Sequence, residues 1–204
     1  MKFFAEDHAP YRPVDQRAVA DRDGPPSEGV AASAGCDPVV AAMIRVDHAG
    51  EFGAVRIYDG QVAILGERAA GGSLRHMRQQ EREHLARFGE QLAERRVRPT
   101  ALLPLWHIAG FALGAATALL GEGAAMACTE AVEDTVVAHY DGQIARLDRR
   151  EPALSALIAR IRDEEREHGD HAVAAGARRA PGYRLLYGLI SRGCRAAIAV
   201  SERI

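Results

Sequence analysis

Apolar positions recur along this chain at alternating spacings of four and three, the period of a helix face rather than of a strand. Ile44, His48, Glu51, Val55, Tyr58, Val62 and Leu65 form the first such stripe. Asp37-Pro38 opens it, an N-cap acid with proline at the first helical position, and Gly66 closes it. Gly71-Gly72-Ser73 reads as a turn with a serine cap, and a second helix from about Ser73 to Arg96 sets Met77, Glu81, His84 and Phe88 on one side. Arg98-Pro99-Thr100 breaks it. The second half repeats the plan: Met126, Glu130, Glu133, Val137, Tyr140, Ile144 and Leu147 keep the first spacing, Asp148 to Pro152 makes the turn, and Leu154, Ile158, Ile161, Glu165, His168 and Ala172 keep the second. The pattern predicts an all-α chain, a duplicated helical hairpin forming a ferritin-like four-helix bundle, with residues 97–121 as the long crossover.

Both copies place charge where a core face should have none. Glu51 is followed seven residues later by Tyr58-Asp59-Gly60-Gln61, and Glu133 by Tyr140-Asp141-Gly142-Gln143. Downstream stand two identical tetrapeptides, Glu81-Arg82-Glu83-His84 and Glu165-Arg166-Glu167-His168. Residues three apart on a helix differ by about 60° and one turn, so Glu81 with His84, and Glu165 with His168, can reach one point together. Glu83 and Glu167 lie about 200° around and are predicted to face solvent. Four carboxylates and two imidazoles are the ligand set of a di-iron carboxylate bundle, oxygen and nitrogen donors that suit iron or manganese better than a thiolate zinc site. Left unpaired on an apolar face, six such side chains would each cost several kcal/mol. On the third core helix both Glu130 and Glu133 point inward; the repeat register selects Glu133, which aligns with Glu51, while Glu130 aligns with His48. His48 and Glu130 then form either a pair across the bundle behind the metals or ordinary buried polar contacts. Tyr58 and Tyr140 read as core tyrosines. His139 and His171 read as peripheral, with His139 also placed to line a substrate channel.

The crossover is apolar enough to change the picture. From Ala101 to Gly121 there is no Asp, Glu, Lys or Arg, and about 20 apolar residues is the length of a membrane span. Pro104, His107 and the many Gly and Ala residues argue against a span, as does the need for both halves to meet at one site. The segment instead reads as dipping into one leaflet or lying at the interface with Trp106 near the headgroups, or as a core helix or an oligomer seam through Gly110 and Gly114. A last helix, from Tyr183 to the end, mixes Leu185, Leu186, Leu189 and Ile190 with Arg184, Arg192, Arg195 and Arg203, suited to an anionic membrane surface or to capping the bundle.

Composition adds mainly exclusions. The 204 residues allow one domain with a sizeable core, and a net charge of −2 gives no reason to expect a nucleic-acid partner. The three cysteines are far apart, with no Cys-x-x-Cys, so neither a disulfide framework nor a rubredoxin-like iron centre is expected. No Gly-x-Gly-x-x-Gly follows a strand, so electrons must come from outside the chain. Residues 1–36, with their acids and prolines and no apolar run, read as an N-terminal arm rather than a signal peptide, leaving 37–204 as the ferritin-like di-iron domain.

The run Arg45-Val46-Asp47-His48-Ala49-Gly50-Glu51-Phe52-Gly53-Ala54 resembles the demethoxyubiquinone hydroxylases, di-iron monooxygenases of ubiquinone biosynthesis. So do Pro104-Leu105-Trp106 with Gly110-Phe111-Ala112-Leu113-Gly114, Ala127-Cys128-Thr129 before Val132-Glu133, Arg162-Asp163-Glu164-Glu165, and the closing Gly193-Cys194-Arg195 to Ser201-Glu202-Arg203. The likeness covers about residues 38–204; its departure is Glu130, where a small apolar residue is expected. The resemblance implies Glu51, Glu81 and His84 on one iron and Glu133, Glu165 and His168 on the other, with Glu81 and Glu165 bridging. It further implies O2-dependent hydroxylation of 2-polyprenyl-3-methyl-6-methoxy-1,4-benzoquinol to 3-demethylubiquinol, with NADH-derived electrons. The expected setting is peripheral, on the cytoplasmic side of the cell inner membrane, with segments about 101–121 and 183–204 touching it; accessory ubiquinone-biosynthesis proteins and a homo-oligomer are compatible with the chain. The same ligands without a membrane-seeking segment would serve a ferritin-like iron oxidase or store, or a peroxide scavenger.

Overall fold

The computed structural model describes residues 36–204 except Glu67 and Asp148, so the arm expected over 1–36 lies, Cys36 apart, outside the described residues. Those residues form six α-helices and one short 3-10 turn. Helix α1 is Pro38–Leu65, α2 Ala69–Glu94, α3 Leu103–Leu119, α4 Glu122–Leu147, α5 Pro152–Ala174 and α6 Tyr183–Ser201. Asp37 caps α1 by accepting from the Val39 amide at 2.8 Å, with Pro38 in the first turn, and Gly66 ends it at a φ of 53° that costs a glycine little.

Helix α2 starts earlier than its sequence suggests. Gly66 and Arg68 lie between the two helices, and Gly71, Gly72 and Ser73 are already helical. The reason is steric: a Cβ on Gly71 would lie 1.9 Å from the Gly66 carbonyl oxygen, so glycine lets the first turn of α2 fold back onto the end of α1. Arg75 Nη1 donates to that same carbonyl at 2.8 Å. The serine hydroxyl bonds back to the Ala70 carbonyl instead of capping.

Helices α1 with α2 and α4 with α5 pack as two hairpins. Two of the apolar clusters they form draw on all four helices. Met43, Ile44, Phe88, Leu92, Leu154 and Ile158 belong to one, and Leu65, Leu74, Met77, Met126 and Ala172 to the other. In all four helices the predicted ligands fall, in sequence, between the residues given to these two clusters. The polar centre is thus plugged by apolar packing at both ends.

Helices α3 and α6 lie outside this bundle, α3 on α1 and α6 on α4. Glycine sets the first contact. A Cβ on Gly114 would stand 1.9 Å from the Ile57 carbonyl oxygen, one on Gly60 2.3 Å from that of Phe111, and one on Gly110 2.9 Å from that of Gly53. The Gly110–Gly114 seam is therefore filled within the chain, which replaces the oligomer seam considered from sequence. The outer face stays bare: Ile108 is 69 % exposed, Leu119 72 % and Leu120 73 %, and on α6 Leu185 is 68 % exposed. Trp106 does not join that face. Its indole Nε1 donates to Ser201 Oγ at 3.1 Å, tying α3 to the end of α6. Among the described residues no helix is long and apolar enough to cross a membrane.

Candidate metal centre

The six predicted ligands converge. Glu51, Glu81, His84 and Glu165 bring one ligand atom each within 4.8 Å of one another, and so do Glu81, Glu133, Glu165 and His168. Glu81 and Glu165 are common to both groups, the positions that the sequence resemblance gives to bridging residues. All six are at most 3 % exposed. The two imidazole rings face each other across the centre, 6.3 Å apart between centroids. Glu83 and Glu167 face solvent, as the helical phase requires.

Electrostatics identify what the pocket lacks. Burial, then the facing Glu165, Glu133 and Glu51, pushes the Glu81 carboxyl well above its usual range. Glu133 is raised in the same direction, by burial first and then by Glu165. His84 is held up at about 11: burial opposes this, but bonds to Glu165 and Glu51 outweigh it. Glu165, despite the same burial, is drawn down to about 2 by His168 and His84. Protons thus neutralise a centre that has four carboxylates and no lysine or arginine among its six residues. Glu81 Oε2 is buried without a hydrogen-bond partner, and Glu81 Oε1 has only the His168 imidazole, at 3.1 Å, an arrangement that is costly unless a cation takes those oxygens. The donor set fits a pair of hard-to-borderline divalent metals.

The two halves hold each other's ligands. Tyr58, from the first half, donates to Glu133 Oε1 of the second at 2.7 Å; Tyr140, from the second, donates to Glu51 of the first. The tyrosines are buried, as expected, but they orient carboxylates rather than merely filling core. The histidines are tethered the same way. His84 Nδ1 turns to the centre, 2.9 Å from Glu165 Oε1, and Nε2 lies 2.6 Å from Glu164 Oε2. His168 Nδ1 sits 3.0 Å from Glu165 Oε2 and Nε2 3.1 Å from Gln80 Oε1. Gln80 and Glu164 each precede the glutamate of a Glu-x-x-His pair. Their equivalent positions were readable from sequence, but their reach into the opposite half was not.

Glu130 and His48 do not form a pair behind the metals. Glu130 is buried, accepts from Arg178 Nε at 2.8 Å and belongs to neither ligand group. His48 is buried with Nδ1 unpartnered, and burial lowers its pKa to about 4. His139 is half-buried on Asp47, 3.2 Å from its Oδ1, which Gln143 Nε2 also reaches at 2.7 Å. Burial, partly offset by His139 and Gln143, raises Asp47 to about 6.

Against the other side of α1 and α4 lies an apolar cavity of about 500 Å³. Gly50, Gly53, Trp106, Val132, Leu186 and Cys194 are among its lining, so helices α1, α3, α4 and α6 enclose it. Gly50 and Val132 immediately precede Glu51 and Glu133, so the cavity wall and the centre share two helices.

Known proteins resemble the chain over this whole folded region. It is similar to the 3-demethoxyubiquinol 3-hydroxylase of Rhodospirillum rubrum, 57 % identical over 173 residues covering 82 % of each chain. The human NADPH-dependent 3-demethoxyubiquinone 3-hydroxylase, mitochondrial, is 51 % identical over 79 % of this chain and 76 % of its own. The 5-demethoxyubiquinone hydroxylase of Saccharomyces cerevisiae is 40 % identical over 79 % and 77 %. Residues 38–201 match the family described as ubiquinone biosynthesis protein COQ7, and it is to that family that the chain belongs.

Proposed function

We propose that the six-residue centre holds two iron ions and that this chain uses them, with O2, to hydroxylate the ring of a polyprenyl demethoxyubiquinol at the bilayer surface. Hydroxylation in ubiquinone biosynthesis is the activity of the chain's relatives and of this chain. The iron, the six ligands, the electron source and the membrane setting are the finer part of the reading. The observation that carries them is the pair of four-residue groups sharing Glu81 and Glu165.

Overall, a ring C–H, O2, two electrons and two protons give a ring C–OH and one water. When bound, the iron pair supplies the reduction of O2 that this balance needs. The protein's own residues do the rest. Glu51, Glu81 and His84 would hold one ion and Glu133, Glu165 and His168 the other, while Tyr58 and Tyr140 fix the terminal carboxylates so that each keeps one oxygen turned to the metal. The apolar plugs above and below keep bulk water from the centre, where a leaking oxidant would do damage. The 500 Å³ cavity, nearly devoid of polar groups, gives the substrate ring and first prenyl units a place beside the centre. A prenyl tail cannot cross water. The bare faces of α3 and α6 border the same cavity at Ala109 and Leu189, which supports entry of the substrate from one leaflet of a bilayer, in the proposed setting the cytoplasmic side of the inner membrane.

A reduced nicotinamide supplies the electrons. NADH is the donor expected for this chain, whereas the name of the human relative specifies NADPH. The test is a reconstituted assay with a short-chain demethoxyquinone, O2 and either NADH or NADPH. Wild type should form hydroxylated quinone and contain two irons, and Glu165→Ala should lose both. Turnover by a protein with no bound iron would refute the proposal. The ferritin-like reading fits less well, since an iron store has no use for a large apolar cavity and a bare apolar face.

A further inference from the structure

In the two halves of the centre the ligands, and the tyrosines that hold two of them, match residue for residue. Glu51 answers Glu133, Glu81 answers Glu165, His84 answers His168, and Tyr58 answers Tyr140. The mismatch is at the residues that hold the histidines: a carboxylate, Glu164, takes His84 Nε2 at 2.6 Å, and a neutral amide, Gln80, takes His168 Nε2 at 3.1 Å. Both partners present an acceptor oxygen, so Nε2 carries the hydrogen in each ring and Nδ1 is left to face the centre.

An imidazole whose N–H points at a carboxylate gives more electron density to a metal on its other nitrogen than one whose N–H points at an amide. The difference in distance has the same sense as the difference in charge. Glu164 is only part-buried, its side chain 35 % exposed.

We propose that Glu164 and Gln80 are positioning residues that make the two metal positions unequal: the one built on Glu51 and His84 is the tighter and more electron-rich, and the one built on Glu133 and His168 is the weaker. This rests on the dinuclear reading above. It would have a functional consequence, because two ions held unequally would differ in how readily each gives up an electron. The duplicated ligand frame alone would give two alike.

The experiment is an anaerobic titration of the full chain with Fe(II), with 57Fe Mössbauer spectra of the loaded protein as a second readout. Wild type should take up two ions in two steps and show two quadrupole doublets. Glu164→Gln should weaken the tighter step by about tenfold or more, drawing the steps together and the doublets toward one. Gln80→Glu should strengthen the weaker step instead. The exchanged variant, Glu164→Gln with Gln80→Glu, should regain separated steps and two doublets, which a merely structural role for Glu164 does not predict. Two ions bound with steps and doublets unchanged in Glu164→Gln, or both steps weakened equally, would overturn the proposal while leaving the dinuclear centre standing. Failure of wild type to bind a second ion would instead sink the dinuclear reading and this proposal with it.

Discussion

Tyr58 and Tyr140 show how single side chains set the terms of this centre. Each satisfies a buried carboxylate that belongs to the other half. Replacing either by phenylalanine removes one donor and leaves an acceptor buried, so the metal-free protein should lose about 1–3 kcal/mol in urea unfolding. Metal affinity or turnover should fall about 10- to 100-fold, as for other partners of metal ligands. Protons offer a second test. In the metal-free centre His84, raised to about 11, and the Glu81 and Glu133 carboxyls hold protons that a metal must displace. Loading should therefore release protons into a weakly buffered solution near neutral pH, and apparent metal affinity should climb as pH rises. His48 acts in the opposite sense. Its folded value, about 4, lies below the usual 6.5, so its contribution to stability is present above pH 6.5 and is lost as pH falls through 4. Urea midpoints from pH 6.5 to 4 should drop less in His48→Gln than in wild type, by about 3 kcal/mol if the full shift is expressed.

Among the elements, α3 has the least margin. Its seat on α1 depends on backbone touching backbone at Gly114, Gly110 and Gly60, where no side chain fits. Gly114→Ala should force the helices apart and cost about 1–3 kcal/mol of unfolding free energy. Because Gly110 and Leu113 of this helix line the cavity, the same change should raise KM for a prenylated quinone more than it lowers kcat. Gly72→Ala, in open space, is the control and should leave both unchanged. The start of α2 makes a related point about local reading. Gly71-Gly72-Ser73 looks like a turn, yet the glycine serves a close approach to Gly66 inside a helix. Tertiary proximity overrode local propensity there, as it does wherever a glycine's value lies in its missing Cβ rather than in its freedom of φ.

At the scale of the whole molecule, one side of the described structure is unlike the rest. Apart from Val39 and the terminal Ile204, the exposed large apolar residues lie on or just after α3 and on α6. If that side meets a bilayer, Ile108→Asp with Leu185→Asp should abolish flotation with phospholipid vesicles while the urea midpoint stays within about 0.5 kcal/mol, since neither side chain is packed. Much of this molecule was legible beforehand. A 3.6-residue period marks which face of a helix turns inward, a local signal carried by residues within a turn or two of each other; its duplication, read by laying one half of the sequence on the other, marks Glu51, Glu81, His84, Glu133, Glu165 and His168 as charges placed on such faces. Periodicity names a face but not its partner. That Tyr58 holds Glu133, that Glu164 reaches His84 across the bundle, that Trp106 turns inward to Ser201, and that Gly114 meets Ile57 within one chain are contacts between segments dozens of residues apart, and only the packing of the helices against one another could decide them.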